Sequence, residues 1–420
     1  MRRSDQSWVA RMGDAVTMTS SSPRTLAPSG PEDAPASAPR PAGRAHHPVV
    51  TALALSAGTA SLVGSEFIPA GVLPGMAADL GVSEGRAGLA VAATALAGAL
   101  TAPTIAAVLP RADRRTVMLG LLALAVVSNL VVSIAPSLAV VLAARVLLGA
   151  ALAGFWSFAF GVGVHVTGRP ALVSTTVALG TSTATIIGVP VSSVLGDLIG
   201  WRAVFVLVSV VTFAAGVLLW RLLPPVPAAP GAGFAMMRAT LTNRRLIAGV
   251  LVVGLAAFAN FTAYPYIRVA IEAVDVSVVA VLLLAWGLGG LLGNLAGGWA
   301  SRRLRWAAAA GPAILMLALI GMATTDQVPV LAVAVIAWGL GFNMVPVVSQ
   351  LWVAAVEPRR VESAIALQVT AFQIAIMLGA IVGGLIVDQR GPAATMALGA
   401  VFAGLAAIGY ASIRVRPRAD

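Results

Sequence analysis

Two charged side chains fall inside long apolar stretches of the sequence. Glu66 lies in the stretch that begins near residue 48, and Arg145 lies in a later one. On insertion scales a charge at the centre of a membrane segment costs at least ~2.5–3.5 kcal/mol, so such residues mark ion or substrate pathways by default. A carboxyl group can gain and release a proton, whereas an arginine stays charged. Glu66 is therefore a candidate for proton exchange or substrate coupling.

Each of these residues also has a plainer interpretation. Glu66 can be a solvated residue in the outer part of its stretch, and Arg145 can form a structural pairing that holds helices together. Burial disfavours a charged carboxylate, whereas a nearby arginine or ligand favours it. Exchange of a proton against a cargo requires both influences. The sequence leaves the two interpretations of each residue open.

Polar and aromatic side chains inside the apolar stretches form a second group of candidates. A buried amide needs a hydrogen-bond partner, so any one of them is more often a contact between helices than a ligand contact. Asn260, Asn343, Gln368 and Gln373 gain weight as a set because they lie in the seventh, tenth and eleventh stretches. Trp156 follows an aromatic neighbour and offers a stacking platform. The candidate ligand contacts are Phe155, Trp156, Asn260, Tyr264, Asn343, Gln368 and Gln373.

The composition indicates what must position these residues. The 420-residue chain is 59% hydrophobic and 10% charged, whereas soluble domains are about 25% charged. Cysteine and lysine are absent, which excludes disulfides, cysteine–metal sites, the phosphate-binding loop and Schiff-base chemistry. The net charge of +11 accompanies no basic helix and no RNA-reading sheet. A soluble enzyme, an ATP-driven pump and a nucleic-acid-binding protein are therefore excluded.

The hydrophobic pattern predicts twelve membrane-spanning helices, because about 20 apolar residues cross a hydrocarbon core of roughly 30 Å. The longest interior break contains four prolines and separates the spans six and six. We expect an all-α membrane protein with two six-helix bundles at 48–223 and 245–413, a linker at 224–244, a disordered cytoplasmic tail at 1–47 and a short tail at 414–420. The spans are placed near 49–72, 86–109, 115–135, 138–163, 171–196, 203–223, 245–266, 276–299, 305–325, 329–352, 361–387 and 391–413.

Arginine gives the orientation, since cytoplasmic loops carry the excess of positive charge. With the amino-terminal tail inside, inner segments hold 22 arginines and eight acids, and outer segments hold four arginines and seven acids. The inner charge is then +14 and the outer charge −3. This asymmetry favours an even number of spans with both termini in the cytoplasm. It also leaves Glu66 and Arg145 as the two charges well within spans.

Small residues recur at four-residue spacing, as at Gly289, Gly293 and Gly297. This spacing places them on one helix face, where two backbones approach closely. The pattern indicates helix packing, with sliding of these faces during transport as the alternative.

Several short motifs resemble those of the major facilitator superfamily. The run Arg111-Ala-Asp113-Arg114-Arg115 after span 2 is similar to its cytoplasmic loop signature, and Gly298-Trp-Ala-Ser-Arg302-Arg303 after span 8 is a weaker second copy. In this family the signature implies that Asp113, Arg114 and Arg115 latch the two halves together in the outward-facing state.

Other motifs resemble the twelve-span drug:proton antiporters of the same superfamily. Ala144-Arg145-Val-Leu-Leu-Gly149 is similar to the span 4 motif, and Gly188-Val-Pro190 followed by Gly196 is similar to the antiporter motif of span 5. Ser192-Ser193 stands where that motif usually has a glycine pair. The resemblance implies that Arg145 lies near the proton-coupling acid, for which Glu66 is the candidate.

Together these features predict a proton antiporter that exports a small neutral or moderately apolar molecule, such as a nucleoside, a sugar or a drug like chloramphenicol. Uptake of a sugar or nucleoside by symport or facilitation is the alternative. An enzyme or receptor is disfavoured, because no cluster of His, Asp, Glu or Cys residues is present. The expected partners are a small substrate, protons and the lipid of a bacterial inner membrane. No cofactor beyond the proton gradient is implied, and the family default is a monomer that can contribute to drug resistance.

Overall fold

A computed structural model of the chain describes residues 48–227, 241–299, 303–358 and 360–413. The predicted disordered tail, most of the predicted linker, the carboxy-terminal tail and Arg302 of the second loop motif lie outside these residues. The regular structure of the described residues is entirely helical.

Twelve helical segments of the described chain are long and apolar enough to cross a membrane, so the predicted span number is confirmed. Span 7 is interrupted by a 3-10 turn at Tyr264–Tyr266, and span 8 begins with a 3-10 turn at Val276–Val278. The helices of spans 1 to 12 are Pro48–Leu80, Glu84–Val108, Arg114–Ser133, Leu138–Thr167, Pro170–Ile199, Trp201–Leu222, Arg244–Ala263 continued by Ile267–Glu272, Val279–Trp299, Leu304–Thr324, Val328–Val356, Val361–Arg390 and Pro392–Ser412.

Local chemistry sets the helix ends. Ser83 caps span 2 and Asn243 caps span 7, each by accepting backbone N–H groups of the first turn, which helix starts leave unpaired. Span 4 ends at Gly168, whose φ of +65° is a left-handed conformation that glycine adopts without steric strain. These caps place the turns between spans close to where the hydropathy pattern breaks.

The hydrophobic cores show how spans 1–6 and spans 7–12 meet. One core contains only residues of spans 1–6 and the segment after span 6, and another contains only residues of spans 7–12. Two further cores contain residues from both sets, among them Val91 with Ile376 and Ala87 with Val387. The two bundles therefore share apolar cores toward the end where span 1 finishes, and have separate cores toward the end where span 1 starts. We call these the closed end and the open end.

Span 2 contacts spans 7 and 11 of the other bundle through glycines. A Cβ atom at Gly85 would overlap the carbonyl oxygen of Gly384, one at Gly88 would overlap the hydroxyl of Tyr266, and one at Gly98 would overlap the amide of Gln373. Because glycine has no side chain, the two bundles approach each other closely along about half the length of span 2.

We expect Gly85→Ala to weaken the closed end. The added methyl meets the backbone of Gly384, which cannot rotate away as a flexible side chain can. The bundles must separate locally. A cysteine placed between the bundles at the closed end should therefore react faster with a membrane-impermeant maleimide than the same cysteine without the Gly85→Ala substitution. Gly75→Ala, near the same end of span 1 and with open space around its Cβ, is the control. Equal labelling rates in the two variants would contradict this interpretation.

Candidate functional site

Glu66 lies at the boundary between the bundles. It is partly exposed, as is the next residue, Phe67. The ring of Phe67 packs edge-on against the ring of Tyr264 in the second bundle, with 5.5 Å between centroids. The Glu66 side chain lies near both Arg145 and Tyr264, and it forms no ion pair with Arg145 among the described residues. It therefore lies next to a positive charge of its own bundle and an aromatic group of the other.

Arg145 is fully buried in the first bundle. Its Nη1 donates to the carbonyl of Ser65 at 2.9 Å, its Nη2 to the carbonyl of Glu66 at 3.2 Å, and its Nε to the hydroxyl of Thr94 at 3.1 Å. All three nitrogens thus bind neutral oxygen atoms, and the contact with Glu66 is to its backbone. Arg145 joins spans 1, 2 and 4 at the level of Glu66.

Tyr264 belongs to a cluster of aromatic rings in the second bundle. Its ring centroid is 5.0 Å from that of Trp286 and 5.6 Å from that of Phe261. Asn260 lies one turn away, and its Oδ1 accepts a hydrogen bond of 2.7 Å from the indole N–H of Trp338. Asn260 and Tyr264 thus belong to one cluster, and the ring of Tyr264 packs against Phe67 of the first bundle.

Three buried polar atoms of this cluster make no hydrogen bond with the described residues: Tyr264 Oη, Trp286 Nε1 and Asn260 Nδ2. Each of these residues is at most 2% exposed. A buried polar group without a partner is destabilising by about 1–3 kcal/mol. The cluster therefore holds three groups able to donate to an acceptor that reaches them.

The remaining predicted amides are spread along the second bundle. Asn343 Nδ2 donates to the carbonyl of Gly339 in its own helix at 3.0 Å, and Gln368 Nε2 donates to the hydroxyl of Ser349 at 2.7 Å. Gln373 lies against Gly98 of the first bundle. Gln368 thus connects spans 10 and 11, whereas Gln373 lies at the boundary between the bundles.

The two neighbouring aromatics of span 4 differ in environment. Phe155 is 1% exposed and packs in the core of the first bundle, where its ring fills the space beside Gly58. In this conformation the ring of Phe155 is enclosed by its own bundle, and a ligand contact by Phe155 remains a prediction. Trp156 is 41% exposed and remains a candidate.

Arg268 forms an ionic contact between the bundles at the closed end. Its Nη2 lies 2.7 Å from Asp197 of span 5, its Nη1 donates to the carbonyl of Gly71 at 2.6 Å, and its Nε lies 2.6 Å from Glu272. The arginine is 7% exposed. Arg268 lies beyond the predicted end of span 7 at residue 266, and that predicted end is wrong because span 7 continues to Glu272 after the 3-10 turn. Arg268 is thus a buried charge of the described chain, as Arg145 is.

Asp388 makes a second contact of this kind. Its Oδ1 accepts from the backbone N–H of Gly85 at 2.9 Å and its Oδ2 from the hydroxyl of Ser83 at 2.6 Å. A carboxylate at a helix N-terminus satisfies free N–H groups and is favoured by the helix dipole. A residue of the second bundle therefore caps a helix of the first.

The predicted latch residues lie at the open end. Asp113 caps span 3 by accepting from the N–H of Thr116 at 2.9 Å, and it also accepts from the N–H of Val226 at 2.7 Å. Arg114 lies over the ring of Phe158 at 4.6 Å, and Arg115 donates to a carbonyl of span 6. These contacts are all within the first bundle or the segment after it. A latch to the second bundle remains a prediction for a conformation in which this end is closed.

The antiporter-like residues of span 5 pack against span 1. Gly188 lies beside Gly64 and Phe67, and a Cβ at Gly196 would be 2.9 Å from Val72. Pro190 is buried between them. The hydroxyl of Ser192 occupies space left free by Gly71, so the serine in place of the usual glycine is accommodated by span 1. The motif therefore supports the helix that carries Glu66.

The family assignment rests on the fold and on sequence comparison. The model of the Major Facilitator Superfamily matches residues 55–354 and 246–420. The chain belongs to the major facilitator superfamily. It is a multi-pass membrane transporter and not an enzyme. Among the described residues no group of three or more His, Asp or Glu side chains is arranged to hold a metal ion.

Individual relatives agree with this assignment. The purine ribonucleoside efflux pump NepI of Salmonella paratyphi C is 31% identical over 367 residues, which cover 85% of this chain and 92% of the relative. The solved structure of the nucleoside transporter NupG (D323A mutant) has a TM-score of 0.73 at 14% identity, covering 87% of this chain and 100% of that chain. A bacterial homologue of the human lysosomal transporter Spinster has a TM-score of 0.67 at 16% identity, covering 86% and 95%. The two structures support the fold.

Proposed function

We propose that this transporter exports a purine nucleoside, or a neutral molecule of similar size and polarity, in exchange for protons. The observation that carries the proposal is the position of Glu66, a carboxyl group at the bundle boundary beside Arg145 and opposite Tyr264. The relationship to a purine ribonucleoside efflux pump supports the cargo class. The proton gradient supplies the energy, and no cofactor takes part.

The cluster around Tyr264 suits such a cargo. Aromatic rings stack on other rings in offset or edge-on geometry, which contributes about 0.5–1.5 kcal/mol beyond burial of area. The unpaired donors of Asn260, Tyr264 and Trp286 match the acceptor atoms of a purine ring and the hydroxyls of a ribose. Gln373 and Glu66 add polar groups from the two sides of the boundary. The cargo itself carries no net charge, so the charge that moves belongs to Glu66.

Transport follows from rocking of the two bundles around this site. In the described conformation the contacts of Arg268 and Asp388 close one end. Cargo enters from the open end, which in our proposal faces the cytoplasm because Arg111, Arg114 and Arg115 lie there. Reversal of the two ends exposes Glu66 to the outside, where the cargo leaves and Glu66 takes up a proton. The protein works as a monomer in the bacterial inner membrane, with both termini in the cytoplasm.

Transport in cells tests the direction. Bacteria that express the protein and receive radiolabelled adenosine should accumulate less of it than cells with an empty vector. Addition of a protonophore should remove this difference, because export loses its energy source. Accumulation that is higher in the expressing cells and falls with the protonophore would contradict export and indicate uptake instead.

A further inference from the structure

Span 1 carries a proline, Pro69, three residues after Glu66 and within the same helix turn. Pro69 has no N–H group, so the carbonyl of Ser65, four residues earlier, lacks the donor that an α-helix normally provides. Ser65 is 0% exposed. A buried carbonyl that is left unpaired destabilises a fold by about 1–3 kcal/mol. The sequence of span 1 therefore demands a donor from outside the helix at this position.

Arg145 provides that donor. Its Nη1 lies 2.9 Å from the freed carbonyl of Ser65, and its Nη2 contacts the next carbonyl, that of Glu66. The guanidinium group is a rigid planar fork, so contacts at both ends of the fork fix its orientation relative to span 1. The hydroxyl of Thr94 accepts from Nε at 3.1 Å and holds the other side of the group.

A neighbouring helix secures the same turn. The side-chain hydroxyl of Ser65 donates to the carbonyl of Ser61 at 2.8 Å and accepts from the amide of Asn129 at 3.0 Å. Asn129 is 0% exposed. The turn before Glu66 is thus held by hydrogen bonds from spans 3 and 4.

We propose that Pro69 and Arg145 form one positioning unit, in which the guanidinium group replaces the helical hydrogen bond that the proline removes and thereby fixes where the carboxyl group of Glu66 lies. Arg145 then acts on Glu66 through the backbone of span 1 in addition to its charge. This inference rests on the proposed role of Glu66 in proton coupling.

The unit makes the two residues interdependent. In Pro69→Ala the new N–H group can bond to the carbonyl of Ser65, and it competes with Arg145 for that oxygen. In Arg145→Lys the charge remains, but one ammonium group cannot span both carbonyls as a fork can. Either substitution alters the hydrogen bonding at the carbonyl of Ser65 on which the effect of the other residue depends. The two substitutions should therefore be non-additive, as expected for residues that share a partner.

Infrared difference spectroscopy tests the unit without transport. The stretching band of the protonated carboxyl group, assigned by its loss in Glu66→Gln, gives the pH midpoint at which Glu66 titrates. Pro69→Ala and Arg145→Lys should each displace this midpoint by about half a pH unit or more, and the double variant should not exceed the larger single effect. Pro74→Ala in the same helix is the control. It supplies an N–H donor for the carbonyl of Ala70 and does not involve Arg145, so it should leave the pH midpoint of Glu66 unchanged.

Equal effects of Pro69→Ala and Pro74→Ala, or additive effects of Pro69→Ala and Arg145→Lys, would overturn the proposal. If Arg145→Lys does not fold, the comparison of the two proline variants still decides. Proton-coupled transport is measured separately, as adenosine movement driven by a pH gradient in proteoliposomes. If infrared spectroscopy confirms the positioning unit but a pH gradient does not drive adenosine movement, the unit stands and the proposed function is refuted.

Discussion

Glu66→Gln should abolish adenosine movement driven by a pH gradient in proteoliposomes. Glutamine has nearly the shape of the protonated glutamate but cannot release a proton, so the cycle loses the step that couples the two fluxes. Exchange of labelled for unlabelled adenosine across the same membrane requires no net proton movement and should persist. We expect gradient-driven transport at the level of protein-free liposomes, with adenosine affinity within about threefold of the wild type, which corresponds to under about 1 kcal/mol.

Asp326→Asn is the matched control for this result. Asp326 is an exposed acid in the turn between spans 9 and 10, so its removal changes the net charge equally without touching the boundary. It should transport as the wild type does. Retention of gradient-driven transport in Glu66→Gln would show that the proton is carried elsewhere.

Arg268→Gln should shift the protein toward the conformation in which the closed end has opened. The substitution removes the charge that joins the bundles and leaves Asp197 and Glu272 without their counterion. Removal of one partner from a fully buried pair is destabilising by about 3–5 kcal/mol. The side chain of Asp197 is 61% exposed, so we expect less, of order 1–2 kcal/mol, or a roughly 5- to 30-fold change in the ratio of the two conformations.

Pulsed electron resonance can measure this shift directly. The chain has no cysteine, so nitroxide labels on Ser137→Cys and Asp326→Cys report one distance between the bundles at the closed end. In Arg268→Gln the population at the longer distance should grow. Arg202→Gln is the control, since the ion pair of Arg202 with Asp79 lies at the same end but within the first bundle. Equal distance distributions in the two variants would contradict a role for Arg268 in joining the bundles.

The hydropathy pattern was sufficient for the architecture. Each predicted span corresponds to a helix whose ends differ by a few residues, except that span 1 continues to Leu80 and span 7 continues to Glu272. Length and apolar content decide whether a segment crosses a membrane, and both can be read without tertiary information. Glu66 and Arg145 were also identifiable, because a charge within such a segment is exceptional.

Arg268 was missed for a physical reason. Pro265 and the 3-10 turn around it interrupt span 7, and an arginine just beyond an apolar stretch has the pattern of a loop charge. Its burial depends on Asp197, which is 71 positions away in the sequence. A charge whose counterion lies in another bundle cannot be recognised from local composition.

The sequence also did not show in which direction individual side chains point around a helix. Successive residues on a helix point about 100° apart, so Phe155 and Trp156 face different surroundings. Span 4 is apolar on all sides, and such a helix gives no sign of which face meets its own core. Gly85, Gly88 and Gly98 likewise show their role only through the residues of the second bundle that pack against them.

We propose that cargo leaves through this transporter as protons enter. Proteoliposomes that contain the wild-type protein, a trapped pH-sensitive dye and adenosine are diluted into adenosine-free buffer of the same pH. Loss of adenosine down its gradient should acidify the interior, at a rate proportional to adenosine efflux and absent in Glu66→Gln and in protein-free liposomes. Adenosine efflux through the wild-type protein with a constant or rising interior pH would contradict proton antiport.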